Sequence, residues 1–398
     1  MISYQEALDI ISRHTYSPHI EQVSLSNSGG RVLAEDVYAD RDLPPYDRVT
    51  MDGISIHYSA FAAGQRTFPI EKTIGAGMPK SALENETNCV QIMTGAIMPT
   101  GADTVIRYED TTITDGVATI NEEVTHQQNI HFKGEDKKVG EIVLTKGTTL
   151  GASELIVAAA VGCVDLAVLK LPKAAIITTG DELVDVHEQP LAHQVRRSSN
   201  YGVQNVLEQW GIEAKQYHLV DDKALMYKEL QTILNQYELV VLTGGVSRGK
   251  FDYLPEVLDE LGVQKHFHKV KQRPGKPFWF GTANDTTVFA LPGNPVSSFA
   301  CANVYIRHWL KASLGQQSKP TYVRLMGDVK FMPDLTYFLE CSLSSSAEGV
   351  LQATTFKGHG SGDFANMTQA DGFIVLPQGK SEFKAGEAYP FIPYRSTF

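Results

Sequence analysis

The sequence predicts a multidomain chain of α/β plus β class, and three observations carry that expectation. From Pro172 onward, strand-like and helix-like runs alternate, which implies a three-layer α/β/α domain around a mostly parallel sheet. Residues 54–142 and the stretch after Pro320 carry instead short β-rich runs separated by Gly-, Asn- and Asp-rich turns, the pattern of small all-β domains. Finally, 398 residues exceed what one hydrophobic core usually holds.

Taken in order, residues 4–14 place Ala7, Leu8, Ile10 and Ile11 on one helical side, an amphipathic helix that ends before Pro18. Residues 31–38 read as helix or turn, and residues 42–47 as extended chain, because Pro44 and Pro45 exclude helix. Strand-like runs follow at 89–93, 104–108 and 117–120, then a connecting helix at 153–161 capped by Ser153 and stopped by Gly162. In the α/β region the strand-like runs are 174–178, 213–219, 239–242 and 287–291; the helix-like runs are 201–210, 223–236, 253–261 and 296–314. A polar linker at 315–320 leads to strand-like runs at 322–329, 337–343 and 372–376.

Composition bounds the function. With 42% hydrophobic and 20% charged residues the chain is of ordinary globular type, and its net charge of −11 argues against nucleic acid as a partner. Cys89, Cys163, Cys301 and Cys341 are scattered without metal-ligand spacing, as in reduced cytosolic proteins. The first residues lack a signal pattern, and the longest near-apolar run, 154–168, is interrupted by Gly162 and Asp165, so a cytoplasmic protein without a membrane span is expected.

Three strand-end loops point to an anion: Thr179-Gly180-Asp181-Glu182-Leu183, Thr243-Gly244-Gly245-Val246-Ser247 and Leu291-Pro292-Gly293-Asn294-Pro295. Ligands of open parallel sheets bind at the strand C-termini, where glycine lets backbone N–H groups approach a phosphate. Lys269, Lys271, Arg273 and Lys276 supply local positive charge, the first three on one face if their segment is a strand. Glu182, Asp221 and Asp252 suit Mg²⁺ held together with substrate phosphates, whereas Asp222 reads as a helix cap. Met51-Asp52-Gly53, Met93-Thr94-Gly95-Ala96 and Lys133-Gly134-Glu135-Asp136 place polar groups at turn tips, which turn chemistry alone also explains. His266 and His268 could share a strand face but have no evident third metal ligand, and no nucleophile elbow, HExxH pair or P-loop is present.

These motifs, with Asp42-Leu43-Pro44-Pro45-Tyr46-Asp47 and Arg273-Pro274-Gly275-Lys276-Pro277, occur in an order that resembles molybdopterin molybdenumtransferase, the bacterial MoeA family that includes the E domain of gephyrin. The resemblance covers nearly the whole chain. It implies an elongated homodimer of four-domain subunits, placed here as a linking domain (1–41 and 141–171), a small β lid domain (42–140), an α/β molybdopterin-binding domain (172–317) and a C-terminal β domain (318–398). It further implies that adenylylated molybdopterin and molybdate are converted with Mg²⁺ to molybdenum cofactor and AMP, the product passing to molybdenum cofactor enzymes. Asp52, Thr94 and Asp136 would come from the lid, and Glu182, Asp221, Asp252, Lys269 and Arg273 from the α/β side, the two sets meeting across the dimer interface. Gly180, Gly244, Gly245, Ser247, Lys276, Pro292, Gly293, Asn294 and Ser361 would bind substrate, with Glu182, Asp221 and Asp252 on the metal.

Three departures stand out. Arg48-Val49-Thr50 replaces small or amide residues, His131 stands where an Arg is common, and Leu339-Glu340 occupies a stretch where many members carry an Arg. Two readings of other kinds are a non-catalytic scaffold of the same fold and a molybdopterin adenylyltransferase sharing the Thr-Gly-Gly loop, the latter disfavoured by the additional domains.

Overall fold

The computed structural model describes residues 1–246, 253–316, 319–356, 364 and 366–395. The chain forms two compact units, one of Met1–Glu21, Gly30–Val32 and Val168–Phe398, the other of Gln22–Gly29 and Leu33–Ala167.

The first unit is built on a six-stranded sheet in the order Ala214–Leu219, Ala174–Thr179, Leu239–Thr243, Thr286–Leu291, Trp279–Ala283, Gln264–His268. The first four strands are parallel, and the last two turn antiparallel at one edge. Strands buried on both faces need apolar residues at every position, and Leu239–Thr243 and Thr286–Leu291 are buried throughout. Alternate residues serve opposite cores. Ile176, Val241 and Phe289 pack with Val203, Leu207 and Trp309, while Ile177, Leu242 and Val288 pack with Met226, Leu230 and Leu258. Each such aliphatic side chain contributes about 1.5–3 kcal/mol by leaving water.

The amphipathic helix at the start spans Tyr4–Arg13 and falls within this unit. Its inward residues Ala7 and Ile11 lie in the same core as Phe280 and Trp309, and the Trp309 indole donates to His14 O at 3.0 Å. Asp222 caps Lys223–Leu234 through the Leu225 N–H, as read from the sequence. The helix expected over 296–314 is divided into Pro295–Cys301, a wide π turn Ala302–Ile306 and Arg307–Ser313.

The C-terminal strands close on themselves, because Thr336–Ser345 pairs with both Leu351–Thr355 and Gly372–Leu376. Gly372 is required at the closure, since a Cβ there would lie 2.4 Å from Ile392 O. The segment 269–277 departs from its expected strand. Lys269 has φ +91°, which breaks the pleat, Val270 makes an isolated bridge to Ile2, and Gln272–Arg273 pairs parallel to Thr336–Ser345. The cations therefore do not alternate along one strand face.

The second unit carries a six-stranded mixed sheet ordered Thr104–Arg107, Gly53–Ile56, Cys89–Ile92, Thr67–Ile74, Val117–Ile120, Thr111–Thr114. Two short ladders accompany it, Arg48–Val49 with Ile130–His131 and Val37–Tyr38 with Ile142–Leu144. The run 31–38, read as helix or turn, thus ends in a strand. Helix Ala152–Ala160 starts one residue earlier than the expected 153–161. Its cap is Gly151, whose N–H is taken by the Glu154 carboxylate at 2.9 Å, and Ser153 lies inside the helix. Among the described residues no helix is long and apolar enough to cross a membrane.

Candidate functional site

In the first unit a cleft of about 980 Å³ opens at the C-terminal ends of the parallel strands. Its floor follows from glycine geometry. Gly244 and Gly245 have φ +96° and +69°, and a Cβ on either would come within 2.9 Å of the Thr179 hydroxyl, so only glycine lets the two strand-end loops approach. Gly244 N–H donates to Leu291 O at 3.1 Å, and Gly293 lies 3.4 Å from Gly244 Cα when measured from its own missing Cβ. The Thr179 hydroxyl is buried and, among the described residues, has no hydrogen-bond partner. A desolvated hydroxyl on a cleft wall is a donor awaiting an acceptor.

Two carboxylates border the same cleft. Glu182 folds back over Gly180, its Oε2 lying 2.5 Å from where a Cβ would stand, and Asp221 lines the adjoining loop with its N–H donating to Asp181 at 3.1 Å. Positive charge comes from Arg196 and Arg197. Arg197 is paired with Asp185 at 2.6 Å, whereas the Arg196 side chain donates through its Nε to Glu188 O at 3.1 Å. The His218 imidazole, under the same loops, is held below its ordinary pKa by burial and then by Arg197. His268 anchors the glycine loop from below, its Nε2 donating to Val246 O at 3.0 Å; His266 bonds Thr282.

The second unit gathers another polar set. Asp52 accepts from Thr94 N–H at 2.6 Å and from its hydroxyl at 2.7 Å, which hold this exposed carboxyl below its usual range. Gly53 beside it sits against Ile106 O, where a Cβ would be 1.9 Å away. Asp136 accepts from His131 Nε2 at 3.0 Å.

Of the residues singled out in the sequence, Gly180, Glu182, Asp221, Gly244, Gly245, Pro292 and Gly293 line the cleft together. Asn294 sits at its margin as the cap of Pro295–Cys301, accepting from Ser297 N–H. Lys269, Arg273 and Lys276 are not among the lining residues; the Arg273 guanidinium lies 5.9 Å from the rings of Phe331 and Tyr337 in the C-terminal sheet. Ser247, Asp252 and Ser361 lie outside the described residues. Thr179, at the head of the first strand-end loop, also lines the cleft, as do Arg196, Ser199 and Phe364, which sequence reasoning missed. A paired arginine after the first strand-end loop was the one available signal.

Comparison with known proteins agrees along the chain. Residues 2–162 match the MoeA N-terminal region (domain I and II), 175–312 a probable molybdopterin binding domain, and 322–394 the MoeA C-terminal region (domain IV). A molybdopterin molybdenumtransferase of Synechocystis sp. is 39% identical over 98% of this chain and 99% of its own length. One of Staphylococcus epidermidis is 31% identical over 97% and 94%. The crystal structure of a molybdopterin biosynthesis MoeA protein from Pyrococcus horikoshii OT3 superposes with a TM-score of 0.84 at 26% identity, covering 99% of this chain and 100% of that one.

Proposed function

Because the chain belongs to the MoeA family of molybdopterin molybdenumtransferases, transferases of molybdenum cofactor biosynthesis, we propose that it takes adenylylated molybdopterin and molybdate and releases molybdenum cofactor and AMP with Mg²⁺. The observation that carries this reading is the glycine-floored cleft, which Thr179, Arg196, Glu182 and Asp221 line together.

The loops of Gly180, Gly244 and Gly293 allow phosphate oxygens to approach the backbone, and Thr179 donates to one of them. Arg196 offsets phosphate charge in a chain whose net charge is −11. Glu182 and Asp221, which line the same cleft, fit Mg²⁺ held together with substrate phosphates. When bound, Mg²⁺ neutralises charge that develops on the phosphoanhydride. Asp252 completes this set in the proposal.

The proposal includes a homodimer in which Asp52, Thr94 and Asp136 of one copy serve the cleft of the other. Its support is apolar surface in the second unit, where Ile156 is 70% and Val164 76% exposed. Incubation of purified protein with adenylylated molybdopterin, molybdate and Mg²⁺ tests the reading. AMP release together with reconstitution of a molybdenum enzyme is expected, and both are lost in Glu182→Ala. Molybdenum insertion that proceeds equally well in Glu182→Ala overturns the assignment of the site.

A further inference from the structure

Three ribbons of the second unit lie side by side. Val49 accepts from Gly95 N–H at 2.8 Å and donates to Ala96 O at 3.0 Å, while on its other side Arg48 stands directly across from His131 in the Arg48–Val49 and Ile130–His131 ladder. The strand carrying Arg48 is therefore flanked by the Thr94 loop and by the turn that bears Asp136. That turn is held by its backbone, with Asp136 N–H donating to Leu43 O at 2.9 Å and Gly134 N–H to Pro44 O at 3.0 Å. The Asp136 side chain is 59% exposed and has no such restraint of its own.

The restraint comes through an imidazole. Arg48 Nη2 lies 3.0 Å from His131 Nδ1, and His131 Nε2 lies 3.0 Å from Asp136 Oδ1. A guanidinium has donors and no acceptor, so Nδ1 must present its lone pair to Arg48. The ring proton then sits on Nε2 and is donated to the carboxylate. One neutral tautomer satisfies both neighbours, and the ring is turned by neither without breaking a bond.

We propose that His131 is a positioning residue of the molybdenum-inserting site, locked by Arg48 as the Nε2–H tautomer so that it fixes the direction of the Asp136 carboxylate. The proposal rests on the reading above that Asp136 belongs to that site.

Substitution separates positioning from bulk structure. His131→Ala should lower kcat for molybdenum insertion roughly ten- to a hundredfold with little change in KM, the usual range for a residue that orients a catalytic ligand. His131→Gln should restore most of that loss, because its amide oxygen accepts from Arg48 while its amide nitrogen donates to Asp136. Equal losses in the two variants, or none in His131→Ala while Asp136→Asn is inactive, overturn the positioning role alone. Full activity in Asp136→Asn overturns the assignment of Asp136 and the proposal with it. Independently of activity, ¹⁵N NMR of the parent protein should show Nε2 protonated and Nδ1 unprotonated at neutral pH; a protonated Nδ1 in the parent refutes the lock.

Discussion

Thr179 closes its strand with a hydroxyl that is out of water and, among the described residues, bonded to nothing, an arrangement that costs folding energy until a ligand supplies an acceptor. Thr179→Val should therefore leave stability unchanged or raise it by about 1 kcal/mol, while weakening AMP binding by roughly three- to tenfold. Chemical denaturation and calorimetric titration read the two effects, and a variant that binds AMP as tightly as the parent removes the hydroxyl from the site. Asp52 shows the opposite economy. Its folded pKa is lowered, first by the Thr94 N–H and then by the Thr94 hydroxyl, so its stabilising contribution is present above the ordinary carboxylate range and is lost as pH falls through the lowered value. Thr94→Val deletes the second donor only, and a ¹³C titration should find the Asp52 carboxyl moved part of the way back up. No movement would show that the backbone bond alone sets it. Residues of this kind divide by legibility: Gly244, Gly245 and Glu182 announce themselves beside a strand end. Thr179 becomes significant only because two glycines from another strand remove its solvent, which no local pattern encodes.

At the scale of elements, periodicity was legible wherever burial was uniform. The strands Ala174–Thr179 and Leu239–Thr243 are apolar because both faces are covered, and the alternation of strand and helix revealed the parallel sheet before any contact was known. It failed where neighbours override local preference. Lys269, Lys271 and Arg273 read as one face of a strand, yet Lys269 adopts φ +91° and Val270 bridges to Ile2, so the segment is tied to the start of the chain and to the C-terminal sheet. The helix Tyr4–Arg13 was legible in itself, while its packing partner was not. A capping box joins Ser3 and Glu6, with Ser3 N–H donating to the Glu6 carboxylate at 2.7 Å and Glu6 N–H to Ser3 Oγ at 3.2 Å. Ser3→Ala should cost about 0.5–2 kcal/mol of the first unit's stability in urea. A smaller loss would mean that Ala7 and Ile11, buried against the α/β core, hold the helix without its cap.

For the molecule as a whole, each unit carries half of a chemical argument. One has the glycine-floored cleft with Glu182 and Asp221, and the other exposes Asp52, Thr94 and the Arg48–His131–Asp136 chain. If the proposed two-fold dimer pairs the lid of one copy with the cleft of the other, each site needs residues from both chains, and symmetry makes the two sites equivalent. Two inactive variants can then repair each other. Mixing Asp52→Ala with Glu182→Ala yields heterodimers in which one site bears both lesions and the other bears none. Random exchange makes about half of the dimers mixed, each with one intact site of two, so molybdenum insertion should recover to roughly a quarter of the parent value when sites act independently. Subunit exchange is followed separately with differently tagged chains. Exchange without recovery would mean that Asp52 and Glu182 act within one chain, and a monomer at assay concentration with full activity would remove the dimer from the mechanism altogether.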